Sequence, residues 1–169
     1  MSSEEDFREF VAARQRGLLR TAWLLTGDWT AAEDLVQTAL MRAWPHWRRL
    51  AGQGAAERYV RRIMVNSFNS GWRRRWRRET PTSDLPHGHA PDAYGAVDLR
   101  QSLAAAVRAL PPRQRAVVVL RFFDDLTEAQ IADVMGVAVG TVKSQTSKAL
   151  ASLRTNPALN GLNFQESAT

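Results

Sequence analysis

The tightest constraint this chain places on its own fold lies in residues 127–153. Thr127 and Gln130 have the spacing of a capping box, so a short helix starts there and turns Ile131, Ala132 and Met135 inward. Gly136 supplies a tight turn. A second helix over 139–154 then directs Val142, Ala149, Leu150 and Leu153 to the same interior, with the small Ala132 where the two helices approach most closely. This is the pattern of a helix-turn-helix. Its outward face carries Thr141, Lys143, Ser144, Ser147 and Lys148, hydrogen-bonding side chains mixed with cations and no acid. Such a face suits a major groove, where Lys donates to guanine acceptors and phosphates and Ser contacts bases or backbone. A plain helical hairpin would share the inward pattern but has no need of an acid-free outward face.

The rest of the chain also reads as helix. Phe7, Val11, Leu18, Ala22 and Leu25 recur at helical spacing over 4–26, until Gly27-Asp28 stops them. A second helix is expected from Thr30, whose spacing to Glu33 fits a capping box, through Leu35, Val36, Ala39, Leu40, Ala43 and Trp44 to a break near Pro45. Its polar face bears Asp34, Gln37 and Met41. After Gly52 and Gly54, a long helix over 56–78 buries Tyr59, Val60, Ile63, Met64 and Phe68. Periodicity then vanishes over 79–97, where Pro81, Pro86 and Pro91 recur among polar residues, so this segment reads as a flexible linker. Asp98 is expected to cap a helix through Leu99, Leu103, Val107 and Leu110, and Pro111-Pro112 to separate it from one through Ala116, Val117, Leu120 and Phe123 that Asp124-Asp125 breaks. Asn156-Pro157 and Asn160-Gly161 make a frayed tail. The expected fold is therefore all-α: two small helical domains, 1–78 and 98–169, joined by the linker 79–97.

Charge narrows the function. The chain of 169 residues carries a formal net charge of +6, and between Arg58 and Arg78 there are eight arginines and no acid. A polyanionic partner follows. On the long helix Asn66, Asn69 and Arg73 share one face, flanked by Arg61, Arg62 and Arg74, while Trp72 and Trp76 could stack on bases or simply cover apolar surface. With no cysteine and three scattered histidines, no metal site is expected, and no nucleophile-base pair or phosphate loop marks an enzyme; no cofactor is implied. The apolar runs are far shorter than the roughly 20 residues that span a bilayer, and the acidic N-terminus lacks an export signal, so a cytoplasmic location is expected.

Four blocks resemble the extracytoplasmic-function group of sigma-70 factors. They are Ala32-Glu33-Asp34-Leu35-Val36-Gln37, then Tyr59-Val60-Arg61-Arg62-Ile63-Met64-Val65-Asn66 with its arginine cluster, then Leu110-Pro111-Pro112-Arg113-Gln114-Arg115, and Gly140-Thr141-Val142-Lys143-Ser144. The resemblance implies a sigma factor that binds core RNA polymerase and directs promoter-specific initiation. Asp34, Gln37, Leu40 and Met41 would dock on the polymerase clamp, with the flap as a further contact. Gln53, Arg58, Arg61, Arg62, Asn66, Asn69, Arg73 and Arg74 would engage and open the minus-ten element. The terminal helix-turn-helix would read the minus-thirty-five element through Thr141, Lys143, Ser144, Ser147 and Lys148, and the linker would pass through polymerase. Many members are held by an anti-sigma factor, which adds a candidate partner. Gln145 and Thr146 depart from the commoner pattern, and Val139 lacks the capping hydroxyl often found there, so base preference does not transfer. The rival reading is a dimeric helix-turn-helix regulator, which leaves the first 78 residues unexplained; an RNA-binding protein using the arginine helix is a third.

Overall fold

The computed structural model describes residues 2–50, 52–78 and 96–159, with the side chains of 53, 72–78 and 96–99 outside the description. Ser2 and Glu5 form a reciprocal capping box that opens α1 (Ser3–Thr26). Gly27, at φ 74°, closes it by donating its N–H to the Trp23 carbonyl at 2.7 Å. This left-handed conformation is one that Gly adopts without steric cost. The chain turns at once into α2 (Trp29–Ala43), whose cap is Asp28 rather than the expected Thr30. The Asp28 carboxylate has two oxygens and uses both, accepting from the Thr30 and Ala31 N–H groups at 3.3 and 3.2 Å. A 3-10 turn (Trp44–Arg49) holds Pro45 near its start, and α3 (Gln53–Arg78) begins three residues before the expected Ala56. Leu18, Ala22, Val36, Ala43, Trp47, Val60 and Met64 make the first core, closed by the tilted and edge-on rings of Phe7, Phe10 and Trp47.

In the second half, α4 (Ala96–Arg108) starts two residues ahead of Asp98, which therefore lies inside the helix and does not cap it. Pro112 occupies the first turn of α5 (Pro112–Val118), where its missing N–H costs nothing. The helix then widens into a π segment (Val119–Phe123). The Asp124 N–H reaches back to the Val119 carbonyl, and Asp125, at φ 53°, ends the run. The expected Thr127–Gln130 capping box starts α6 (Glu128–Met135), with both reciprocal bonds present. At its end the Gly136 N–H bonds to the Asp133 carbonyl and the Val137 N–H to that of Ala132, a Schellman pair that sets the angle into α7 (Val139–Arg154). The tail is less frayed than expected. Pro157–Leu159 forms a 3-10 turn and Leu159 is only 4% exposed, while residues 160–169 lie outside the described residues.

All regular structure among the described residues is helical, as expected. The halves do not stand apart. Leu24, Leu25, Val65 and Phe68 of the first join Val107, Leu110, Ala116, Leu120 and Ile131 of the second in one continuous apolar cluster. Residues 79–95, which hold most of the expected linker, lie outside the described residues.

Candidate nucleic-acid interface

Helix α3 divides its side chains among three stripes set by the helical repeat. Ala56, Val60 and Met64 enter the first core, whereas Arg61, Val65 and Phe68 face the second half of the molecule. The third stripe, one residue further round, carries Arg58, Arg62, Asn66 and Asn69. Arg62 and Asn66 are exposed, and Arg58 and Asn69 are half-buried. The Asn69 amide oxygen is buried with no hydrogen-bond partner among the described residues, an acceptor facing no donor. The side chains of Gln53, Arg73, Arg74, Trp72 and Trp76 lie outside the described residues. Arg61 departs from expectation. It is 7% exposed and donates to Asp124 at 2.5 Å and to Glu57 at 2.8 Å, so in this conformation no nucleic acid reaches it.

Helix α7 presents the face the sequence implies. Lys143, Ser144, Ser147 and Lys148 are exposed and Thr141 half-buried, while Val142, Ala149 and Leu153 anchor the opposite side. The Lys143 ammonium is 3.9 Å from Glu128 on α6, but at 65% side-chain exposure that pairing is weakly held. No side chain caps the helix at Ala138, so its first N–H groups remain available to an anion. Lys143 and Lys148 are also the only lysines in the chain; its other 21 basic residues, out of 23, are arginines.

A third surface lies on α2. Asp34 and Gln37 are exposed and Leu40 half-buried, and Met41 is 74% exposed. Gln37, Leu40 and Met41 line an open groove with Phe7, Arg8 and Trp44. Trp44 was expected in the core. Instead it is 43% exposed, because α2 ends one residue before it and the 3-10 turn rotates it onto the Phe7 ring, 5.0 Å away. Large apolar side chains thus stand open to solvent beside polar ones on this face.

Between the halves runs a polar seam that single-helix periodicity missed. The Asp124 side chain, fully shielded from solvent, accepts from Arg61 and lies 2.7 Å from the Thr21 hydroxyl. Burial pushes its carboxyl above the usual carboxylate range, against the opposing pull of Arg61, Thr21 and Arg20. Arg20 donates to the Phe123 carbonyl and Arg108 to that of Gly27, while Arg115 spans the carbonyls of Leu25, Arg108 and Leu110. Burial, and then the Arg108 charge, draw the Arg115 guanidinium down to about 10, which leaves it charged at neutral pH. Adjacent acids at 124–125 were the available signal, and they read only as a helix break.

Comparison with known proteins matches this arrangement. Residues 10–78 fit the family profile described as Sigma-70 region 2, and residues 100–153 that described as Sigma-70, region 4. The RNA polymerase sigma-E factor of Streptomyces avermitilis is 40% identical over 149 residues, 88% of this chain and 83% of that protein. The ECF RNA polymerase sigma factor SigL of Mycobacterium tuberculosis is 34% identical over 142 residues, 81% of this chain and 80% of its own length. Among solved structures, the sigma factor RpoE of Bartonella quintana, crystallised with the anti-sigma factor NepR, superposes with a TM-score of 0.74 and 29% identity over 89% of this chain and 95% of that one. Since both region profiles fall in order on the two halves and relatives of this identity are spanned over most of their length, the chain belongs to the extracytoplasmic-function group of the sigma-70 family of RNA polymerase sigma factors.

Proposed function

We propose that this sigma factor divides initiation among its three exposed surfaces. The α2 surface, with exposed Asp34 beside the groove lined by Gln37, Leu40 and Met41, docks on the clamp of core polymerase. The outward stripe of α3, with Arg58, Arg62, Asn66 and Asn69, engages the minus-ten element and steadies the displaced strand, joined by Gln53, Arg73 and Arg74. The α7 face, with Thr141, Lys143, Ser144, Ser147 and Lys148, reads the minus-thirty-five element. Residues 1–78 and 98–169 act as separate units on DNA, with 79–97 as the linker passing through polymerase. The protein works in the cytoplasm, and an anti-sigma factor is a further partner, as NepR is for the Bartonella protein. The observation that carries this reading is the acid-free, lysine-bearing outward face of α7 on a helix-turn-helix whose inner face is fully packed.

The test is run-off transcription with purified core polymerase on a genomic fragment library. Discrete transcripts are expected only when this protein is added. Asp34→Arg should abolish them and its own co-purification with core, yet move thermal stability by only about 0.5 kcal/mol or less, as exposed substitutions do. Transcripts that persist with this variant would remove Asp34 from the docking surface.

A further inference from the structure

The packed arrangement of the two halves cannot be the one that reads a promoter. Elements about 25 base pairs apart are separated by roughly 85 Å along B-form DNA at about 3.4 Å per step. A packed chain of this length has a radius of gyration of about 15 Å and is roughly 40 Å across. Reaching both elements therefore requires the halves to part, and whatever holds the seam sets the cost of parting. Three of its polar contacts run from side chain to backbone: Arg20 to Phe123, Arg108 to Gly27, Arg115 to Leu25. One is different. Asp124, presented by the π segment and the left-handed turn at Asp125, inserts between α1 and α3 and takes up both Thr21 and Arg61.

Arg61 sits within the basic block of α3, one residue from exposed Arg62 and one helical turn from Asn66. Its guanidinium is satisfied on one side by Glu57 of its own helix and on the other by a carboxylate carried from the far half. A DNA phosphate offers a guanidinium the same planar pair of acceptors as a carboxylate. We propose that Asp124 is an autoinhibitory latch: it occupies Arg61 in place of a promoter phosphate and holds the DNA-reading halves together, so opening and DNA engagement compete for the same guanidinium. The inference rests on the sigma-factor reading.

The chain has no cysteine, so single cysteines introduced as Arg49→Cys and Ser152→Cys, at exposed positions in the two halves, carry a pair of spin labels without background. Asp124→Ala should shift the distance distribution to longer values while helical circular dichroism stays unchanged. Asp124→Asn, which retains an acceptor for Arg61 and a partner for Thr21, should stay as short as the parent. The two variants have the same net charge, so their binding to a mixed-sequence single-stranded oligonucleotide separates opening from charge. Asp124→Ala should bind several-fold tighter and Asp124→Asn should not, and adding Arg61→Ala to Asp124→Ala should erase the gain. An unchanged distribution in Asp124→Ala, or loss of its helical signal, overturns the latch. If the parent protein supports no transcription with core polymerase, the sigma reading fails instead. If the parent transcribes and Asp124→Ala does not open, only the latch fails.

Discussion

On α7, Lys143 and Lys148 hold their ammonium groups out in solvent, whereas Arg61, Arg108 and Arg115 turn their guanidinium groups into the seam between the halves. All five are single positive charges in a chain with a surplus of them. The difference follows from the side chains. A guanidinium is planar, weakly hydrated and carries five donors, so it can leave water if several acceptors surround it, as three backbone carbonyls surround Arg115. An ammonium is strongly hydrated and stays where water, or a phosphate replacing it, can reach. Positive charge in this sequence thus has two uses, and only the acceptors around each group tell which.

The largest effect that would sharpen this contrast is at Arg115. Replacing it with Ala strips three buried carbonyls of a charged donor, and the expected loss is about 3–5 kcal/mol of unfolding free energy, read from urea denaturation. Arg115→Lys should recover only part of it, because one ammonium lacks the forked geometry. A loss below about 0.5 kcal/mol for Arg115→Ala, the level of an ordinary surface change, would break the comparison at its buried end. The two lysines should leave stability alone and differ from each other. Lys143 lies near the start of α7, and if that helix reads the upstream element as proposed, Lys143→Ala should cost about 1–3 kcal/mol at one upstream position and flatten the preference there. Lys148→Ala should weaken all upstream sequences alike and make the salt slope shallower by about one unit. Holoenzyme binding across a library randomised only upstream, at two salt concentrations, reads both; equal loss at every sequence for Lys143→Ala would remove it from base readout.

The smallest effect is on pH. The groups facing Asp124 are Thr21 and Arg20 from α1 and Arg61 and Glu57 from α3, and burial sets the direction of its shift, upward. A carboxyl whose pKa is raised in the closed state takes up a proton on closing. Closure should therefore be favoured as pH falls from neutrality toward the ordinary carboxylate range and weaken as pH rises again. The spin-label distances should shorten slightly at lower pH in the parent and show no such trend in Asp124→Asn.

The helix-turn-helix was legible because every signal that builds it is local. Thr127 and Gln130 are three residues apart, Gly136 and Val137 close the helix they end, and the inward residues of α7 repeat at the helical period. Caps proved less certain where two candidates compete. Asp28, with two acceptor oxygens, took the start of α2 from Thr30, and α4 begins at Ala96, ahead of Asp98. Asp34, Gln37 and Met41 are exposed, as their place on the outer face of α2 implies, and Trp44 is exposed beside them only because a 3-10 turn follows the helix. The seam left no trace in the periodicity. Thr21 and Asp124 are 103 residues apart, Arg61 and Asp124 63 apart, and nothing in the spacing of α3 separates the stripe holding Arg61 from the one beside it. A stripe of Arg, Val and Phe buried against another half reads, in one dimension, like a basic helix with a few apolar neighbours.

Confinement of both lysines to one helix gives the molecule an unusual chemical address. Amine-directed acylation would reach the Lys143 and Lys148 side chains and leave every arginine untouched, so all the side-chain charge it neutralises would fall on the outward face of α7. Acetylation of that kind, enzymatic or by reactive acyl donors, would silence α7 while sparing the arginine chemistry of α3 and the seam.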